Sequence, residues 1–332
     1  MRCLQAALAA VLLALLSACT AQPPLRSQLA AGGAPSVELA GTPFFPQEEF
    51  QCGPAALATV LAAAGAAVTP EELAPQVYLP GRHGSLQPEL LAAARRHGRV
   101  PYPLAADPAA FLAEVAAGNP VLLLQNLGSR YLPAWHYAVL VGYDAAEDRA
   151  ILRSGTVERL AMAWPRFVAT TRRAGHWGVV VLEPGRLPAT AEPRPYVAAV
   201  AGLESAGRHE AALRAYEAGL ARWPAEPLLW LGQGNAAHAG GDVATALASY
   251  RRAVELAPAN AAARHNLAQA LLEAGCPQAA QREARSARPV AEGTALQAAV
   301  EDLVARAQLA AAASPADPEA CAGPGPGPAP DP

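Results

Sequence analysis

Phe44-Phe45-Pro46-Gln47-Glu48-Glu49-Phe50-Gln51-Cys52-Gly53-Pro54-Ala55-Ala56-Leu57 sets a cysteine at the expected start of a helix. Leu57, Val60 and Leu61 share one helical face and Gly65 supplies a stop, which predicts a helix from Cys52 to Ala64. A thiol at a helix N-terminus meets unpaired backbone N–H groups and the positive end of the dipole, and both favour the thiolate. Pro54 suits a first turn that needs no N–H partner, and Gly53 lets another segment approach closely. Gln47 can bring an amide donor beside the sulfur and, with the Cys52 N–H, form an oxyanion hole for a tetrahedral acyl intermediate. With an imidazole alongside, such a thiol is expected to titrate well below the ~8.5 of a free cysteine.

The base for such a nucleophile comes from a distant segment. Trp135-His136-Tyr137-Ala138-Val139-Leu140-Val141-Gly142-Tyr143-Asp144 offers His136 at the start of an apolar strand, where a ring is held rigidly. His176 also precedes a strand and is the reserve base, while His83 and His97 lie in polar surroundings expected at the surface. The Cys52 and His136 blocks together resemble the bacteriocin-processing, double-glycine-leader branch of papain-like cysteine peptidases, in its stand-alone form. The resemblance spans about 42 to 183 and implies Cys52 as nucleophile, His136 as base and Gln47 as oxyanion donor. Two positions depart from the family pattern. Gln47 precedes Cys52 by five residues rather than six, and Leu152-Arg153-Ser154-Gly155-Thr156 carries Ser154 and Gly155 where the family has Asp-Pro. A Cys–His dyad assisted by Ser154, or by Asp144, is expected in place of a full triad.

Outward from this block, Thr69-Pro70-Glu71-Glu72, Gln87-Pro88-Glu89-Leu90 and Asp107-Pro108 open three further helices. Short apolar runs at Val121 to Leu124, Tyr137 to Val141, Ala150 to Leu152 and Val179 to Leu182 then predict an antiparallel sheet. Helices followed by strands give an α+β, papain-like domain over 41–186. Beyond the proline-rich stretch that ends at Pro195 the pattern repeats every 34 residues. Ala212, Ala246 and Ala280 keep this spacing, as do Tyr216 and Tyr250, and Pro224 and Pro258. The period resembles the tetratricopeptide repeat and implies an all-α module over 193–313 that binds a protein partner or substrate. Residues 314–332 are Pro/Gly-rich and expected to be a disordered tail.

The chain begins as an exported lipoprotein would. Arg2 precedes an apolar run from Leu4 to Leu16, too short to span a membrane, and Leu16-Ser17-Ala18-Cys19 resembles a bacterial lipobox. Residues 1–18 are then a signal peptide, Cys19 the lipidated residue and 19–40 a tether. Thr20 after the cysteine points to the outer membrane, with the protein facing the periplasm. Of the remaining cysteines, Cys276 and Cys321 are left either to pair or to stay apart. All 25 basic residues are Arg and the net charge is −3, so no basic field for nucleic acid exists. No metal-ligand spacing or phosphate loop is present in the sequence, and no cofactor is expected. Competing expectations are a degraded enzyme serving as a peptide-binding scaffold, and a Cys–His enzyme acting on cell-wall peptide amides or transferring acyl groups.

Overall fold

The structure is a computed structural model that describes residues 23–47, 51–314, 316–317 and 321. Cys19 and the signal segment lie outside the described residues. Strand β1 is Ser36–Glu38. Helices α1 (Cys52–Ala63) and α2 (Pro70–Val77) follow, then the two-stranded ribbon β2 (Tyr78–Leu79) and β3 (Gly84–Ser85). Next come α3 (Gln87–Arg96), β4 (Val100–Pro103), α4 (Pro108–Ala116), β5 (Val121–Asn126), β6 (Trp135–Asp144), β7 (Arg149–Ser154), β8 (Val157–Ala163), α5 (Trp164–Arg172) and β9 (Gly178–Leu182). The main sheet runs β4-β9-β5-β6-β7-β8, with β1 added along β6, and every pairing is antiparallel.

Local chemistry accounts for the helix starts. Thr69 and Glu72 form a reciprocal capping box at α2, and Asp107 caps α4. Both faces of the sheet are covered, which is why its central strands read as unbroken apolar runs. Leu122, Leu124, Tyr137, Val139 and Val141 face α1, α2 and α3. Their neighbours Val121, Leu123, Ala138 and Leu140 face α4 and α5. Strand β4, read as Val-Pro-Tyr-Pro, was masked by its prolines, which an edge strand tolerates.

The stretch expected to be a tether is part of the domain from Leu25 onward. Leu25 is fully buried and its N–H donates to Asp148 Oδ1 at 2.9 Å. β1 pairs with the end of β6, Val37 opposite Tyr143 and Glu38 opposite Gly142. A Cβ at Gly142 would stand 2.5 Å from the Val37 carbonyl oxygen, so the glycine of the Val-Gly-Tyr block is what lets β1 dock.

Helices α6 (Pro193–Ser205), α7 (His209–Arg222), α8 (Pro227–Ala239), α9 (Val243–Leu256), α10 (Ala261–Glu273), α11 (Pro277–Ala291) and α12 (Gln297–Ala313) form the repeat array. Ala212, Ala246 and Ala280 are fully buried where helices cross. The repeated tyrosines demand glycine opposite them. A Cβ at Gly232 would lie 2.2 Å from the Tyr216 ring, and one at Gly234 would lie 2.5 Å from that of Tyr250. The array shares a core with the peptidase-side sheet: Tyr196, Ala199, Val200 and Leu203 of α6 pack in one cluster with Val100 and Tyr102 of β4. The start of the expected disordered tail is also docked. Asp317 accepts the N–H groups of Gln278 and Ala279 at 2.8 and 2.7 Å, and Cys321 is disulfide-bonded to Cys276. Residues 322–332 lie outside the described residues.

Candidate active site

Cys52 is the first residue of α1, preceded by Gln51, whose side chain does not cap the helix. The N–H groups of Tyr137, Gly53 and Cys52 itself are directed at the sulfur and favour its anion. The peptide unit joining His136 to Tyr137 therefore sits against the thiol. Burial outweighs these donors and pushes the Cys52 thiol above its ordinary value, contrary to the acidic thiol expected from the helix start. The sequence shows the helix N-terminus but not the apolar wall around it.

His136 is the second residue of β6. A hydrogen bond of 2.8 Å joins its Nε2 to Ser154 Oγ. For Nδ1 to act as base, Nε2–H must donate and the hydroxyl oxygen accept. Burial holds His136 below the usual imidazole range, and no anion among the described residues opposes this. Burial therefore favours the neutral form of the Cys52 thiol and of the His136 imidazole. Ser154 closes β7 in a two-residue turn in which Ser154 pairs with Val157 and Gly155 has φ +64°. Proline cannot adopt that conformation, so the paired departure at Ser154-Gly155 is one local change of turn.

Gln47 is brought to the same turn, its N–H donating to the Gly155 carbonyl at 3.2 Å. With Phe45, Thr59, Tyr137 and Ser154 it lines a narrow cavity of about 10 Å³. Its side-chain amide makes no hydrogen bond among the described residues. Tyr137 separates this cavity from a larger one of about 490 Å³, whose wall includes Cys52.

Two alternatives are removed by geometry. Asp144 ends β6 eight residues beyond His136, about 26 Å away at ~3.3 Å per residue. Its carboxylate instead accepts N–H groups from Ala146 and Glu147. The reserve base His176 is hydrogen-bonded to Thr171 Oγ1 at 3.1 Å and lines a different cavity with Pro108 and Trp164. His83 is exposed as expected, on the rim of the larger cavity. His97 is half-buried rather than at the surface, because the repeat array covers the end of α3. Its Nε2 has no hydrogen-bond partner among the described residues, and Arg208 is among the charges that act on it.

Three neighbours of the site escaped sequence reasoning. Ser85 of β3 packs directly on Gly53, where a Cβ would stand 2.3 Å from Ser85 Oγ. Tyr137 bonds back to the Ser85 carbonyl at 3.3 Å. Gln125, fully buried and opposite His136 in the β5–β6 register, donates to Thr170 Oγ1 at 2.7 Å while its Oε1 has no hydrogen-bond partner among the described residues. Strand β5 is buried along its whole length, and the two amides that end its apolar run, Gln125 and Asn126, were the available signal.

Residues 40–154 match the model of the peptidase C39-like family, and residues 202–261 and 249–282 match tetratricopeptide-repeat models. Among solved structures the chain is similar to a candidate C39-like peptidase from Bacillus anthracis, at 16% identity and a TM-score of 0.39, covering 44% of this chain and 97% of that one. It is also similar to a double glycine motif protease from an AMS/PCAT transporter, solved with its leader peptide, at 21% identity and a TM-score of 0.32, covering 42% and 89%. The repeat array is similar to the TPR2B domain of yeast Sti1 in its pHsp70 complex, at 17% identity and a TM-score of 0.32, covering 33% and 90%. No curated protein matches the chain. The chain thus joins a peptidase C39-like domain of α+β fold to an all-α array of tetratricopeptide repeats.

Proposed function

We propose that this protein is a cysteine peptidase in which Cys52 attacks a peptide carbonyl, His136 is the general base and Ser154 holds the imidazole. The observation that carries the proposal is the linked arrangement at the sheet end. Cys52 and Tyr137 share one cavity wall, while the residue before Tyr137, His136, is held by Ser154 at 2.8 Å. Because burial favours the neutral thiol and imidazole, His136 removes the proton as the S–C bond forms. The Cys52 N–H and the Gln47 amide receive the oxyanion. The imidazolium then protonates the leaving amine, and water releases the acid from the thioester. The repeats recruit a protein partner or the substrate itself, and Cys19 anchors the chain by lipid in the envelope, on the periplasmic side of the outer membrane.

A second possibility, a weakly active or inactive scaffold that binds peptides, draws on the neutral Ser154 and the raised thiol. Acyl transfer, or hydrolysis of cell-wall peptide amides, would use the same residues. Electrophilic labelling followed by peptide mapping distinguishes these. The proposal expects a label on Cys52 that is slowed in His136→Ala, and peptide turnover abolished in Cys52→Ala. An unreactive Cys52 with no turnover of peptide at any pH would establish the scaffold. Cleavage of cell-wall fragments but not of proteins would redirect the substrate. Fractionation of Cys19→Ala cells tests the anchor, which is wrong if the variant is processed and stays membrane-bound.

A further inference from the structure

We infer that the cavity beside Cys52 is a subsite for a bulky apolar side chain of the peptide substrate, next to the bond that is cut. The subsite presupposes the peptidase activity proposed above and adds its specificity. The cavity of about 490 Å³ is walled by Leu86, Leu124, Trp135 and Tyr137, with Cys52 in the same wall and Arg82 and Gln87 among its polar lining. Small-molecule and side-chain sites have this constitution, an apolar interior and a few polar groups that fix orientation. Its floor is rigid. Leu124 and Tyr137 are register partners in the β5–β6 ladder, and Tyr137 is braced edge-on by Trp177 at 6.0 Å.

The hairpin joining β5 to β6 extends the same apolar surface outward. Leu127, Tyr131, Leu132 and Trp135 are 42, 87, 80 and 56% exposed, four of the seven exposed large hydrophobics among the described residues. These side chains are held out by a braced loop. Asn126 Oδ1 accepts the N–H groups of Gly128 and Ala134, each at 3.0 Å. Ser129 Oγ accepts those of Tyr131 and Leu132, and the Arg173 guanidinium donates to the Asn126 carbonyl at 2.8 Å. A rigid loop that presents aromatic side chains binds at a small entropic cost. Trp135 belongs both to this lip and to the cavity wall that holds Cys52, so the two apolar surfaces are continuous. A glycine next to the bond that is cut would leave the cavity unfilled.

The test uses the full chain and two peptidyl electrophiles that differ in the residue beside the reactive group, Leu in one and Gly in the other, with iodoacetamide as a side-chain-free reference. Labelling of Cys52 is expected to be at least about tenfold faster with the Leu probe, the scale on which apolar pockets discriminate. Trp135→Ala should pull the ratio of the two rates toward one. Leu86→Trp, at a half-buried position of the wall, should do the same by filling the space. Equal rates, or a faster Gly probe, overturn the subsite while leaving the peptidase proposal intact. If neither peptidyl probe outpaces iodoacetamide and no peptide is cleaved, the peptidase proposal fails and the subsite with it.

Discussion

Replacing Ser154 by aspartate puts a charge where the structure has a neutral hydroxyl. Ser154 Oγ lies 2.8 Å from His136 Nε2, so a carboxylate grafted there is within about 4 Å of the imidazolium charge. At an effective dielectric constant near 20 such a pair interacts by about 4 kcal/mol, or about 3 pKa units at ~1.36 kcal/mol each. The carboxylate must itself be desolvated in a cavity of only about 10 Å³, so about 1–2 units is the better expectation. That reverses the depression burial imposes on His136 and stabilises the thiolate–imidazolium pair. Iodoacetamide alkylation of Cys52 followed against pH is the assay. Wild type should react along a single limb whose midpoint lies above that of an ordinary thiol, because burial raises the Cys52 pKa. Ser154→Asp should add a reactive limb below neutral pH, absent from the Ser154→Asp/His136→Ala double variant. Peptide turnover should rise over the same range. Ser154→Ala removes one neutral hydrogen bond, about 1 kcal/mol and therefore less than about tenfold in rate. A folded Ser154→Asp protein with the wild-type alkylation profile would refute the claim that Ser154 controls the charge state of His136.

Gly53→Ala should destabilise the domain by about 1–3 kcal/mol through overpacking, because the new Cβ meets Ser85 Oγ at 2.3 Å and Ser85 Cβ at 2.6 Å. Adding Ser85→Gly should restore much of the loss in a urea titration. Acid should destabilise the fold. Burial depresses the pKa of His97, His136 and His176, so the unfolded chain takes up protons first as pH falls below about 6.5. Stability should be complete above that value and fall progressively below it, and a melting temperature unchanged between pH 7.5 and 5 would contradict the sign, pH 6.5 being roughly the unfolded histidine value. Truncation at about Pro195, which the sequence suggests would spare the peptidase domain, should instead give an aggregating fragment, because Tyr196, Val200 and Leu203 leave β4 uncovered. A monomeric fragment with native thermal stability would show that the shared core is dispensable.

What was legible in the sequence was whatever a local pattern dictates. The helix beginning at Cys52 follows from apolar spacing and a glycine stop, and the repeats follow from tyrosines and alanines 34 residues apart, whose packing against Gly232 and Gly234 is steric and local. Ser154 lies one strand after His136 in the sequence, and a hydrogen bond of 2.8 Å joins the two. The elements that stayed hidden are those made by partners distant in sequence. Nothing within residues 25–38 shows that Leu25 will be buried beside Asp148, or that β1 will find its place against Gly142. The sign of the Cys52 shift was missed for the same reason. A helix N-terminus is visible in a dozen residues, whereas the desolvating wall comes from β3, β5 and β6, up to 85 residues away at Tyr137. The boundary near Pro195 belongs to this class too. Proline-rich composition marks where the chain changes direction, but only packing decides whether two units are separable. With α6 set into the same cluster as β4, the first repeat helix is a structural wall of the peptidase domain. β4 is joined through β9 and β5 to β6, so α6 packs on an edge of the same sheet that carries His136.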